Sequence, residues 1–274
     1  MLVDGSGGDV GQGVIKALNK SNLNLEIYKI CAYRNSSWLY KDELSYIAPL
    51  SISNEYIPYL IRFLKTKNID IFFPCIDFEI PKVALNKDKI ESETQALVFV
   101  DDLKKVDICN DKSITYKFFQ NNNIEAPITV VPETIEDIKE IIDLADFPLI
   151  VKKRIGQGSK GIRIINSYSE ARNYINQNQF IIQEYIHSKE GEFTAGIYLG
   201  DDKTLKGVCI LKRELKGGST YRAERVINDH WENYLFHITK KIDMKYLNIQ
   251  FGLKNGEIFP FELNGRFSGT TGII

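Results

Sequence analysis

Apolar positions along this chain change their spacing repeatedly, and each change marks an element. Met1–Val3 reads as the stub of a strand, followed by a loop, Gly5-Ser6-Gly7-Gly8-Asp9-Val10-Gly11. Val10, Val14, Ile15 and Leu18 then recur at helical spacing, which predicts a helix over Val10–Asn19. Leu25–Ala32, Ile69–Pro74 and Leu97–Val100 are short apolar runs of strand character. Tyr56–Lys65 between them is a helix with Leu60, Ile61 and Leu64 inward. Strands alternating with helices predict a parallel sheet flanked by helices, a Rossmann-like α/β domain over residues 1–104.

The pattern changes character beyond residue 104. Asp111–Asn121 and Thr134–Leu144 are predicted helices, the second with Thr134 as N-cap ahead of Glu136 and Asp137. Phe147–Lys152, Ile162–Ile165, Phe180–Tyr185, Phe193–Leu199 and Val208–Lys212 read as strands of more antiparallel sheets, with a short helix at Ser169–Ile175. His230–Ile242 is a further helix, and a terminal hairpin follows. The expected fold is therefore mixed, α/β followed by α+β.

The hairpin carries the sharpest chemistry. Leu247–Phe251 and Phe259–Leu263 flank the turn Lys254-Asn255-Gly256-Glu257, so Gln250 should lie beside Glu262. Strand alternation puts Glu262 and Asn264 on one face and Phe261 and Leu263 on the other. Three oxygen-bearing side chains, Gln250, Glu262 and Asn264, with Arg266 just beyond, suit a hard cation that also holds phosphates. Glu262 as a merely solvated charge is disfavoured by Pro260, Phe261 and Leu263 around it.

Two glycine loops read differently. The first sits correctly between strand and helix, but no acidic residue follows the second strand, where the chain reads Cys31-Ala32-Tyr33-Arg34. A tight turn without ligand is the favoured reading; Arg34 facing a 2′-phosphate keeps an NADP reading alive. The second loop, Gly156-Gln157-Gly158-Ser159-Lys160-Gly161, joins two strands and does not open a helix. It is expected to be a hairpin tip whose N–H groups fold over phosphates, Ser159 and Lys160 adding a hydroxyl and a charge. Lys152, sharing a face with Ile150, leads into it. The stretch Gly217-Gly218-Ser219-Thr220-Tyr221-Arg222 is read as a glycine-rich loop, a surface loop or an acceptor-pocket wall, with Arg213 or Arg222 clamping a carboxylate.

Composition narrows the classes. A net charge of −1 creates no field for nucleic acid, so no such partner is expected. No window approaches the roughly eighteen apolar residues of a membrane span, and a cytoplasmic protein is expected. Cys31, Cys75, Cys109 and Cys209 lack metal-ligand spacing and are expected as free thiols.

In order, Asn110-Asp111-Lys112, Lys152 before the glycine hairpin, Gln183-Glu184-Tyr185-Ile186, Glu192-Phe193-Thr194, Gln250 and Glu262-Leu263-Asn264 with Arg266 resemble the ATP-grasp superfamily. The nearest flavour is the carboxylate–amine ligases like the carbamoyl phosphate synthase large subunit. The motifs cover 105–274, and 1–104 looks like the domain that precedes an ATP-grasp domain. The resemblance implies a two-lobed domain, a lid lobe near 113–186 and a metal-binding lobe near 187–274. It implies that Lys112 and Lys152 bind ATP phosphates, with Gly156, Gly158, Ser159, Lys160 and Gly161 closing over them. Gln183, Glu184, Tyr185 and Ile186 would form the adenine-reading hinge, and Glu192 would accept from the ribose hydroxyls. Gln250, Glu262 and Asn264 would hold one or two Mg²⁺ ions, or Mn²⁺ in their place. Arg266 and Arg213 would act on the transferring phosphate or a substrate carboxylate. The implied reaction activates a small-molecule carboxylate as an acyl phosphate for attack by an amine. Family members run on past the position of Ile274, so a homodimer or a second subunit supplying the remainder is expected. A non-catalytic nucleotide-binding subunit is the second reading and an NADP-dependent oxidoreductase the third.

Overall fold

The computed structural model describes residues 1–156, 161–186 and 190–272. It divides into two compact units, Met1–Val106 with Gly265–Ile274, and Asp107–Asn264.

In the first unit, β1 (Leu2–Val3) runs into α1 (Asp9–Lys20) through the first glycine loop, followed by β2 (Tyr28–Cys31) and β3 (Ser45–Ile47). Next come α2 (Tyr56–Thr66), β4 (Ile71–Phe73), α3 (Ile80–Leu85), α4 (Lys87–Thr94), β5 (Leu97–Val98) and α5 (Leu103–Asn110), whose last turns enter the second unit. The strands form a parallel sheet in the order β3-β2-β1-β4-β5. The order reverses at β1, which leaves the loops after β1 and β4 side by side. One sheet face is packed by α2, α3 and α4 around Leu60, Leu64, Phe72 and Ile90. The other is packed by α1 around Val14 and Ile15. Gly5 takes φ +62°, and a Cβ at Gly11 would lie 2.4 Å from the Gly5 carbonyl oxygen, so α1 meets the strand end at backbone distance. Arg34 is exposed beyond β2.

The second unit has two sheets. After α6 (Lys112–Asn121) come β6 (Thr129–Val130), α7 (Ile135–Ala145), β7 (Leu149–Lys153), β8 (Arg163–Ile165), α8 (Tyr168–Arg172) and β9 (Phe180–Glu184). The four strands order as β6-β9-β7-β8 and back onto α7, with Leu149, Val151, Ile182, Ile138 and Ile141 buried between. Thr134 caps α7 as expected, its hydroxyl accepting from the Asp137 N–H while Asp137 accepts from the Thr134 N–H.

The remaining strands are β10 (Glu192–Leu199), β11 (Leu205–Lys216), β12 (Ser219–Val226), β13 (Tyr246–Lys254) and β14 (Glu257–Asn264), with α9 (Asp229–Ile242) between the last hairpin and β12. They form an antiparallel sheet, β12-β11-β10-β13-β14. Its apolar face packs on Leu235, Ile238 and Ile242 of α9. Phe193 stacks on Phe251 at 5.3 Å, and Trp231 sits edge-on to both.

Two expectations are corrected. Ser219–Val226 is a strand, not a loop; only Gly217 and Gly218 turn, at φ +61° and +84°. Its polar composition hid it, because β12 is an exposed edge with little apolar side chain to alternate. Phe261 does not share a face with Leu263. The register slips between Gln250 and Phe251, which pair with Glu262 and Pro260, so Phe261 is the extra residue of a β-bulge. The bulge turns Phe261 to the same side as Glu262.

Candidate functional site

The antiparallel sheet gives the second unit a polar face opposite α9, and strand register determines its contents. Glu192 pairs with Arg213, Thr194 with Gln250, Gln250 with Glu262, and Asn248 with Asn264. Buried Asn248 forms the floor, donating to Thr194 Oγ1 at 2.8 Å and to the Ala195 carbonyl at 3.0 Å. The four-stranded sheet faces it with Ile150, Lys152 and Gln183, which share a face through the Ile150–Gln183 pairing. Between them lies a cleft of about 360 Å³, within the range of small-ligand sites.

Lys112 and Lys152 supply its positive charge. Asp111 caps α6, accepting from the Ser113 N–H at 2.9 Å, and is paired with Arg154 Nε at 2.6 Å. That pairing ties α6 to the end of β7 and places buried Lys112, whose Nζ donates to the Gly156 carbonyl at 3.0 Å. Lys152 Nζ donates to Gln183 Oε1 at 2.8 Å and lies 4.7 Å from the Phe261 ring centroid. Gln183 is held in turn by Thr129 Oγ1 at 2.8 Å. Burial pushes the Lys152 ammonium down to about 8; Glu262 opposes this and Lys112 reinforces it. Such an ammonium lacks a strong counter-charge and is set to receive an anion. Lys153 also lines the cleft, and its stem lies beneath Gly156 and Gly161. Gly158, Ser159 and Lys160 fall outside the described residues.

Glu184, Tyr185 and Ile186 line the cleft at the end of β9. The Glu184 N–H is already bonded to the Ile128 carbonyl at 2.8 Å. Its carboxylate pairs with Lys254 at 2.9 Å and accepts from the Ile128 N–H. Glu184 thus fastens strands together.

On the polar face, Arg213 Nη2 bonds both Glu192 and Gln250 Oε1, the latter at 2.7 Å. The carboxylate it clamps belongs to this chain. Arg222 pairs with Glu214 on an exposed part of β12, and its guanidinium lies over Tyr221. Arg266 belongs to the first unit, where Asp77 holds its guanidinium in a two-pronged ion pair.

Glu262 is half-buried and, among the described residues, its carboxylate has no hydrogen bond and no ion pair. Asn264 has a buried side-chain nitrogen without a partner, so its amide is not held by the chain. The free carboxylate fits a cation, and the unpartnered Asn264 N–H fits an anionic oxygen beside it. Among the described residues no cluster of three or more His, Cys, Asp and Glu forms. A cation here has to rely on one carboxylate, amide oxygens and the ligand's own phosphates, which suits Mg²⁺. Cys31, Cys75 and Cys109 are buried and Cys209 is partly so, and none of the four is in a disulfide.

The sequence pattern of the ATP-grasp domain matches residues 109–270. The chain belongs to the ATP-grasp family. It is 28% identical over 188 residues to the carbamoyl phosphate synthase large chain of Thermoanaerobacter sp. (strain X514), across 62% of this chain and 17% of that one. It is 24% identical over 222 residues to a carbamoyl-phosphate synthase of Methanobrevibacter smithii, across 75% and 59% respectively. This ATP-grasp chain therefore spans under a fifth of the bacterial large chain it matches. Its fold is similar to that of N5-carboxyaminoimidazole synthetase from Staphylococcus aureus complexed with ADP. The TM-score is 0.75 at 15% identity, covering 97% of this chain and 70% of that one. Biotin carboxylase from Campylobacter jejuni gives a TM-score of 0.72 at 15% identity, covering 97% and 65%. No helix among the described residues is long and apolar enough to cross a membrane.

Sequence reasoning missed the Arg213 bridge and the Phe261 ring. The pairing of Glu192 with Arg213 depends on the β10–β11 register, which starts at the Gly200–Thr204 turn but slips between Tyr198 and Leu199.

Proposed function

We propose that this chain is an ATP-dependent ligase that activates a carboxylate as an acyl phosphate for attack by an amine, releasing ADP and phosphate. The observation that carries this is the cleft of the second unit, where Lys112 and Lys152 oppose Glu192, Gln250 and Glu262, with Asn264 next along β14 opposite Asn248. Its sequence relatives are carbamoyl phosphate synthases and two of its structural relatives are nucleotide complexes, which supports the same reading.

In this reading the lysines neutralise part of an ATP tail of about four negative charges. Glu192 accepts from the ribose hydroxyls, and Gln250, Glu262 and Asn264 hold the divalent cation. That cation supplies charge neutralisation at the transferring phosphoryl group. A substrate carboxylate oxygen attacks the γ-phosphorus and the bond to the ADP oxygen breaks. The amine then attacks the acyl carbon and phosphate leaves with the electron pair.

Calorimetric titration with ATP and Mg²⁺, beside Lys152→Met and beside NADPH, tests the reading. Micromolar ATP binding that falls at least tenfold in the variant, with no NADPH heat, is expected. A folded sample that binds NADPH and not ATP overturns it. ADP release only with a carboxylate and an amine both present then separates a ligase from a nucleotide-binding subunit.

A further inference from the structure

Arg213 occupies a place on the polar face that its expected role as a substrate clamp does not explain. Its side chain is only 11% exposed, and one nitrogen, Nη2, bonds both Glu192 and Gln250 Oε1. Its Nε–H is buried without a partner. Gln250 lies opposite Glu262 in the ladder, so the amide oxygen that Arg213 holds is next to the half-buried carboxylate without a partner. One positive charge already sits beside the donors that a second would use.

We infer that Arg213 is a positioning residue that couples cation binding to nucleotide binding, by competing with the divalent cation for Gln250 Oε1. This rests on the proposed ATP–cation site. Without ligand, the guanidinium holds Glu192 and Gln250 in their site rotamers. A cation arriving at Gln250 and Glu262 meets a like charge and an oxygen already engaged. Gln250 Oε1 passes to the cation, while Nη2 stays on Glu192. The unpaired Nε–H takes an anionic oxygen that arrives with the ligand. Arg213 thus favours Glu192 in its ribose-binding position, while its like charge, only partly offset by that anion, still disfavours the cation.

The two halves of this role predict opposite signs. In Arg213→Met, ATP binding in EDTA should weaken about tenfold, the worth of a charge-assisted hydrogen bond that orients Glu192. The Mg²⁺ concentration that half-saturates the ATP complex should fall severalfold. Arg213→Lys keeps the charge but reaches one partner at a time, and should shift both constants the same ways by less. Calorimetry gives the first constant and Mn²⁺ spin-resonance titration, with Mg²⁺ as competitor, the second. A variant in which both constants worsen, or neither moves, overturns the inference, because loosened packing weakens both together. If Arg213→Met does not fold, the opposite signs in Arg213→Lys decide in the same way. Absence of ATP binding by the parent chain is a different failure, that of the ligase reading, and shows before any variant is compared.

Discussion

At the scale of single residues, Lys152 and the pair Asp4–Glu79 illustrate two consequences of burial with opposite sign. Lys152 titrates near 8, below the ordinary lysine range, because burial disfavours its charge. Its folded form releases the proton first, so above about pH 8 the unfolded chain binds more protons and stability rises with pH through that window. Ligand binding runs the other way, since phosphate needs the charged form. ATP affinity should therefore drop between pH 7 and 9.5, with proton uptake on binding near pH 8. Calorimetry in buffers of different ionisation enthalpy reads that uptake, and a flat profile would remove Lys152 from the phosphate site. In the first unit, the Tyr56 hydroxyl lies 2.6 Å from Asp4 Oδ2 and 2.8 Å from Glu79 Oε1, all three groups buried. One phenolic proton cannot serve both, so a carboxyl proton completes the set. Burial raises Asp4 to about 6 and Glu79 well above the carboxylate range. The Cys75 thiol lies near both carboxyls, with Arg266 and Asp77 also acting on it. Raised carboxyl values mean stability that is present in acid and lost as pH rises through the folded values. Glu79→Gln should flatten that loss, gaining on the order of 1 kcal/mol relative to the parent at pH 8, about 2–4 °C in Tm, with no gain at pH 5. Melting curves at the two pH values check it.

At the scale of elements, turns and close contacts decide the cost of change. The β13–β14 hairpin turns at Asn255 and Gly256, with φ +56° and +83°. Nothing lies within 4 Å of a Cβ built at Gly256, so Gly256→Ala should cost only the left-handed backbone, about 1 kcal/mol. Gly11→Ala meets the Gly5 carbonyl at 2.4 Å and the Asp4 carbonyl at 2.9 Å, and α1 has to move. That variant should lose about 3 kcal/mol or more, and denaturant unfolding of the two variants ranks them. Elements with strong local signals were legible in the sequence: the α7 cap, the α9 apolar stripe and the Gln250–Glu262 juxtaposition, which alternation and one glycine turn suffice to specify. Elements specified by context were not. The helices α3 and α4 and the strand β3 are too short for a period to emerge. The bulge at Phe261 changes which side chains face the cleft without leaving a pattern, since Pro260 and Phe261 are apolar on either reading.

At the scale of the molecule, the division into two units assigns the candidate chemistry unevenly. Lys112, Lys152, Gln183, Glu192, Arg213, Gln250, Glu262 and Asn264 all belong to Asp107–Asn264, whereas the first glycine loop, Arg34 and Arg266 belong to the other unit. An ATP–Mg²⁺ site and a dinucleotide site would therefore protect different parts of the chain. A ligand that binds only the native state stabilises by RT ln(1 + [L]/Kd), about 4 kcal/mol at a thousandfold excess over Kd. Hydrogen exchange with ATP and Mg²⁺ should slow amides of β7, β9, β10, β13 and β14, strands that line the cleft, and leave β1, β2 and β4 near their free rates. NADPH acting at the first loop would give the reverse map. Protection confined to the second unit, lost in Lys152→Met, would assign the nucleotide to the cleft by a readout that does not require the unidentified carboxylate and amine. Protection confined to β1 and β2 would assign it to the glycine loop after β1 and leave the lysine pair of the cleft without its anion.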